Sequence, residues 1–254
     1  MISAGSFSRL SVFEDCNRRA KIAFVDRIKE PPRGDPPSYC PKNPVTGERE
    51  WFDKRGIRVH DTADAFLRNV GPACPEMEHF MPEFEQLKKL FAANKVHAEE
   101  TWAFTRDWDL TTWDDWDNCW MRIKVDAFAI LRGSLDEPVE AVVIDYKTGK
   151  AWGNEAKHAD QCQLYQLGAF KRFPTLETIH VEAWYLDQNC MLDGGVKTYL
   201  RPQGLRFQAR WERRMKALTT ESIFKPMPSK VACKWCPFRQ EIHGGTGHCD
   251  RSVI

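Results

Sequence analysis

Apolar residues recur along this chain with two different periods, and the change between them divides it. From Ser6 the period is helical. Leu10, Phe13, Asn17, Ala20 and Phe24 trace one mostly apolar face, Ser6 or Ser8 can cap it, and Cys16, Arg18 and Arg19 lie within it. Pro31 and Pro32 end that helix and open a Pro/Gly-rich loop over 31–47. Two more helices are expected, over 51–68 carrying His60, and over 77–93 with Phe80, Phe84, Leu87, Leu90 and Phe91 on one side. From Val96 the period shortens to two. Strands are expected over 96–104, 119–131 and 139–147, the last two joined by a turn at 133–138, so the sheet begins as an antiparallel hairpin or meander. A helix over 154–173 follows, then strands over 178–186 and 195–200. A basic helix over 202–219 carries Arg206, Arg210, Arg213, Arg214 and Lys216, and most simply presents a solvated face.

One stretch in this pattern carries a cost that needs an explanation. Residues 140–149 read Glu-Ala-Val-Val-Ile-Asp-Tyr-Lys-Thr-Gly, a buried β-branched strand closed by a glycine turn. Asp145 and Lys147 are two residues apart and so share a face. A carboxylate and an ammonium at the end of a buried strand are expensive unless each has a partner. A metal ion and a phosphate are such partners. The expected strand over 119–131 adds Asp126, with Trp120, Arg122 and Lys124 on its face. Oxygen ligands of this kind suit Mg²⁺ or Mn²⁺.

Composition narrows the field. The 254 residues are 42% hydrophobic and 29% charged, ordinary for a globular protein, and are expected to form a single domain over 1–254. Formal net charge is +1, from 37 Lys+Arg against 36 Asp+Glu, so no global basic field announces nucleic acid and any such partner meets a local patch. Residues 1–10 do not read as a secretory leader, and no run approaches ~18 apolar residues. A cytoplasmic location is expected. Nine cysteines, an odd number, argue against a disulfide framework. Ten tryptophans are many; Trp108, Trp113, Trp116 and Trp120 crowd one Asp-rich segment and read as packing residues.

The order Asp126, then Val-Ile-Asp145-Tyr146-Lys147-Thr-Gly149-Lys, resembles the core of the PD-(D/E)XK nucleases. More closely it resembles their RecB-like branch, which includes CRISPR-associated, AddB-type and phage exonucleases. The resemblance implies an α/β fold, restriction-endonuclease-like, with a central mixed β-sheet flanked by helices. It also implies a Mg²⁺- or Mn²⁺-dependent deoxyribonuclease, an exonuclease acting on single-stranded DNA or DNA ends. By the same resemblance His60, Asp126, Asp145 and the Tyr146 carbonyl hold the metal, and Lys147 acts on water and phosphate. Gln161 and Tyr165, four apart on a helix, contact substrate and support the catalytic residues. Glu100 matches the acidic residue of the first strand, with Glu99 as the alternative. DNA is the implied partner, with a recombination or replication protein as a further one; a phage-encoded chain would act in the host cytoplasm. The competing classes are a non-catalytic DNA- or partner-binding subunit on this fold, and a zinc-ribbon interaction protein.

The tail holds a second constellation, Cys233-Lys-Trp-Cys236-Pro and then Cys249. A C-x2-C turn converges two thiolates on one metal. Three thiolates leave such a site one ligand short. Members of the resembled branch that carry an iron–sulfur cluster take their first cysteine from the N-terminal helix, where this chain has Cys16. That implies a [4Fe–4S] cluster on Cys16, Cys233, Cys236 and Cys249, in a lobe built from 6–30 and 220–254. The long 236–249 spacing and the nearby His243 and His248 keep Zn²⁺ open as the alternative.

Overall fold

In the computed structural model, residues 1–191 and 195–253 are described. Strand β1 (Gly5–Ser6) leads into α1 (Phe7–Asp15), capped by Ser6, whose hydroxyl accepts from the Arg9 N–H. The expected first helix is broken at Cys16, which is extended (φ −166°, ψ 111°). The chain restarts as α2 (Asn17–Ala20) and widens into a π-helical turn at Lys21–Val25. Apolar spacing did not reveal the break, because the buried Leu10, Phe13 and Ala20 keep a nearly helical spacing across it.

Next come α3 (Phe52–Leu67) and, after a 3-10 turn at Pro75–Phe80, α4 (Met81–Ala92). Pro82 sits in the first turn of α4, where its missing N–H costs nothing, so the helix expected over 77–93 starts late. Strands β2 (Val96–Phe104), β3 (Leu110–Thr111), β4 (Met121–Gly133) and β5 (Pro138–Lys147) follow, then α5 (Glu155–Arg172), β6 (Thr178–Tyr185), β7 (Cys190–Met191) and β8 (Lys197–Leu200). The expected basic helix is two, α6 (Arg201–Leu205) and α7 (Gln208–Thr220), and the tail adds α8 (Lys230–Lys234). Among the described residues, no helix is long and apolar enough to cross a membrane.

The chain divides into two compact units. The first is Met1–Gly34, Ala103–Arg122 and Ala209–Ile254, which takes in the two segments expected to form a cysteine lobe and adds 103–122. Here β1 pairs in parallel with the start of β4, and β3 pairs antiparallel with the end of β2. Trp108 and Trp120 are buried in it and meet edge to face at 6.1 Å. Their indole N–H groups donate to Glu212 and Thr219, which makes both of them packing residues.

The second unit is Asp35–Trp102 and Ile123–Gln208. Its strands lie in the order β2-β4-β5-β6, with β7 and β8 both pairing β6. Strands β4 and β5 are antiparallel, as expected of a hairpin; β5 and β6 are parallel, and α5 is the crossover between them. The sheet is therefore mixed. One face buries Ala127, Ala129, Val142, Ile144, Tyr146 and Trp184 against Val59, Phe66, Phe84 and Leu87 of α3 and α4. On the other face α5 comes close at Gly168, where a Cβ would lie 2.5 Å from Ile123 Cδ1 and 3.2 Å from Trp102. A mixed sheet between helical layers is the α/β architecture expected for the chain. It brings the C-terminal end of β5, α3 and the start of α5 together.

Candidate functional site

Strands β4 and β5 stay in register through Ala127 and Ile144. One step further the ladder gives way to side chains. The Tyr146 N–H donates to Asp126 Oδ2 at 2.7 Å, so a carboxylate replaces the backbone acceptor of the neighbouring strand. From α3, His60 reaches the same place. Its Nδ1 lies 3.1 Å from Asp126 Oδ1 and its Nε2 lies 3.0 Å from the Tyr146 carbonyl. Both partners are acceptors, so with no cation bound both ring nitrogens donate and the ring is an imidazolium, and a metal held by one nitrogen would take the place of that proton. Burial opposes that charge. The hydrogen bond and charge of Asp126, with Asp145 and Glu99 behind it, outweigh burial and raise His60 to about 9.

Asp145 is buried. Burial raises its pKa, Asp126 adds to the rise, and Lys147 and His60 oppose it. Lys147 Nζ sits 2.6 Å from Asp145 Oδ2 as an ion pair, yet its hydrogen bond goes to Gln161 Oε1 at 2.8 Å. The Gln161 amide N–H donates onward to Tyr165 Oη at 2.6 Å. Four residues apart on α5, Gln161 and Tyr165 face Lys147 together, as the spacing predicts. One turn earlier on α5, His158 Nδ1 meets the Tyr185 hydroxyl at 2.6 Å; burial and then Lys147 lower it to about 4, so it is neutral.

The first-strand acid is where the sequence reading and the geometry differ. Glu100 is turned to other partners: its carboxylate pairs with His97 Nδ1 and accepts from Trp102 Nε1 at 3.1 Å. Glu99 instead approaches the cluster, with Oε1 3.9 Å from His60 Nδ1 and Oε2 against the Lys124 ammonium. The reason is local. Glu99 has φ +53°, left-handed backbone inside a strand, and this re-aims its side chain. Period-two reasoning cannot see such a kink. The nearest signal in the sequence is Lys124, two residues before Asp126 on the same face of β4.

His60, Glu99 and Asp126 offer ligand atoms that all lie within 4.8 Å of one another. One buried carboxylate oxygen of the cluster, Glu99 Oε1, has no hydrogen-bond partner among the described residues, and Asp145 Oδ2 is met by the Lys147 ammonium. A buried anionic oxygen left without a partner costs several kcal/mol as a rule, and a divalent cation would remove the cost. The donor set of carboxylates, a backbone carbonyl and one imidazole fits such an ion.

In the first unit, Cys16, Cys233, Cys236 and Cys249 line one cavity together with Arg19 and Ile22. The extended conformation of Cys16 turns its thiol out of the helical path, and the Met227 N–H donates to its Sγ at 3.5 Å. Ser229 caps α8, which sets Cys233 one turn before Cys236. The long 236–249 spacing is closed by the backbone. Thr246, Gly247 and Cys249 donate to Pro237, Arg239 and Phe238, which folds 237–248 on itself and returns Cys249 to Cys236. His248 is exposed, bonds Thr246 Oγ1 at 2.6 Å, and is not among the residues lining the cavity. The His243 side chain lies outside the described residues. Cys40, Cys74, Cys119, Cys162 and Cys190 form no disulfide and do not line this cavity.

The family model of the PD-(D/E)XK nuclease superfamily matches residues 4–240. Among solved structures, one described as "Crystal structure of SSO0001" is similar, with 14% identity and a TM-score of 0.44, over 99% of this chain and 88% of that chain. No curated protein matches the sequence.

Proposed function

The chain belongs to the PD-(D/E)XK nuclease superfamily, and from that premise we propose that it is a Mg²⁺- or Mn²⁺-dependent deoxyribonuclease, an exonuclease of single-stranded DNA or DNA ends. The observation that carries the metal-dependent reading is the convergence of His60, Glu99 and Asp126, whose ligand atoms lie within 4.8 Å of one another, with the buried Glu99 Oε1 lacking a hydrogen-bond partner. His60, Asp126, Asp145, the Tyr146 carbonyl and Glu99 would hold the ion. Bound there, Mg²⁺ or Mn²⁺ supplies Lewis acidity toward a phosphodiester and a hydroxide-like water at neutral pH.

The chain's own groups do the rest. Lys147 presents an ammonium beside the carboxylates, where it meets the attacking water and the charge that grows on the phosphate. Gln161 holds that ammonium through its amide oxygen, and Tyr165 fixes the Gln161 amide from the other side. Exonuclease action and preference for single strands rest on the resemblance of Asp145-Tyr-Lys147 and Gln161-x3-Tyr165 to the RecB-like branch.

For the cysteine cavity the reading is a [4Fe–4S] cluster on Cys16, Cys233, Cys236 and Cys249. What supports it is that the four thiols line one cavity and that Cys16 lies in the N-terminal helical segment, as the first ligand does in the cluster-bearing nucleases the sequence resembles. A colourless protein holding one zinc would replace this reading with a structural zinc site.

The test of the activity is digestion of end-labelled single-stranded, double-stranded and circular DNA with Mg²⁺ or Mn²⁺. Asp145→Ala and Lys147→Ala are expected to abolish hydrolysis while keeping the fold. Full activity of either variant with Mn²⁺ supplied would refute the mechanism. DNA bound but never cut would favour a non-catalytic subunit.

A further inference from the structure

The segment joining β5 to α5 holds a tryptophan in the open. Trp152 is 81% exposed and lies five residues beyond Lys147. A lone exposed aromatic is ordinary in itself. This one stands on a built support. Gly149 and Gly153 take φ of +117° and +82°, conformations that glycine adopts freely and other residues rarely do. The Gly149 N–H donates to Asp187 Oδ2 at 2.9 Å, and the Ala151 N–H to Gln188 Oε1 at 2.6 Å. Asp187 is clamped in turn by Arg55 of α3, through hydrogen bonds of 2.7 and 2.5 Å. Asn154, at the start of α5, donates to the Lys150 carbonyl at 3.2 Å. The turn after β6 thus anchors a loop whose indole contributes nothing to the core. Lys150 and Lys157, both exposed, flank Trp152 in sequence.

An aromatic face held in solvent, flanked in sequence by two exposed lysines and next in the chain to the phosphate-handling lysine, matches the chemistry of a single strand: flat bases linked by anions. We propose that Trp152 is a base-stacking subsite for single-stranded DNA. Its indole takes the nucleobase next to the phosphodiester presented to Lys147, and Lys150 and Lys157 meet the flanking phosphates. The inference rests on the nuclease reading and deepens it. A base inside a duplex is already stacked on both sides, so the subsite favours single-stranded or frayed ends.

The test measures binding of a labelled single-stranded oligodeoxynucleotide by fluorescence anisotropy, in the full chain carrying Asp145→Asn, with Mg²⁺ present. Trp152→Ala weakens binding on the order of 10-fold, as loss of one stacked base does, and Trp152→Phe stays within about 3-fold. An abasic residue walked along the oligonucleotide costs the Trp152 protein affinity at one position and costs the Ala variant nothing further there. Unchanged binding by Trp152→Ala, or the same abasic penalty in both proteins, overturns the subsite while leaving the nuclease reading intact. Failure of the wild-type chain to cut any DNA overturns both.

Discussion

At the scale of single residues, the site depends on which carboxylate a kinked strand aims inward. Glu99 and Glu100 are neighbours of the same chemistry, and their surroundings divide them. Glu99 leaves a buried oxygen without a partner beside His60, whereas both Glu100 oxygens are engaged by His97 and Trp102. Removing charge from a metal ligand costs metal affinity and activity, while removing it from a strand-packing group costs stability at most. Glu99→Gln is therefore expected to lower DNA hydrolysis about 10- to 100-fold and to weaken Mn²⁺ binding. Glu100→Gln is expected to stay within about 3-fold of wild type, since it keeps the acceptor for Trp102. Steady-state hydrolysis and calorimetric Mn²⁺ titration of both variants measure this. Equal losses in the two would return the role to Glu100 or assign it to neither. That His60, Asp126, Asp145 and Lys147 gather in one place was legible in the sequence, because their order along the chain resembles a family pattern. The choice between Glu99 and Glu100 was not, because a backbone φ of +53° on a glutamate leaves no trace in hydropathy.

At the scale of elements, the crossover helix α5 sets the distance between Lys147 and its support. Strand β5 was readable from its unbroken apolar run, and α5 from its 3.6-residue spacing between Gly153 and Pro174. How closely α5 approaches the sheet was not readable, since that depends on Gly168 meeting Ile123 and Trp102. Trp102 is buried and packs edge to face on Phe128 and Phe173, so it has little room to yield. Gly168→Ala gains about 1 kcal/mol in helix propensity and loses about 1–3 kcal/mol to overpacking. The expected net effect is a small destabilisation, read from urea unfolding. Activity should fall further than stability does, by about 10-fold, because a shifted α5 draws Gln161 away from the Lys147 ammonium. Wild-type activity in a destabilised Gly168→Ala protein would show that the Gln161 contact does not govern the rate. The break at Cys16 follows the same logic: the apolar face runs on across it, and only the extended backbone takes the thiol out of the helical path.

At the scale of the whole chain, the formal charge of +1 provides no long-range attraction for DNA, so the cationic groups act locally. Stability has a comparable local anchor in the first unit, where the ends of the chain meet. Cys16 comes from one end, and Cys233, Cys236 and Cys249 from the other, with more than two hundred residues between. A group bound by all four closes a very long loop, and its binding free energy then becomes folding free energy for that unit. Phe238 packs on Ile22 and Phe224 on Phe13, but α8 is only five residues long, and Trp235, Val231 and Ile242 are exposed. Cys16→Ser is therefore expected to remove most of the bound iron, and with it the visible charge-transfer absorption of anaerobically purified protein. The tail should then be cut by protease at concentrations that leave wild type whole. Cys190→Ser, at a free thiol outside the cavity, should keep both metal and protease resistance. Metal analysis together with limited proteolysis separates the outcomes. Iron retained by Cys16→Ser would remove that residue from the ligand set, and one zinc per chain in wild type would remove the cluster. Metal lost without any gain in protease sensitivity would leave the ligands in place but show that closing the ends of the chain contributes little to holding the tail.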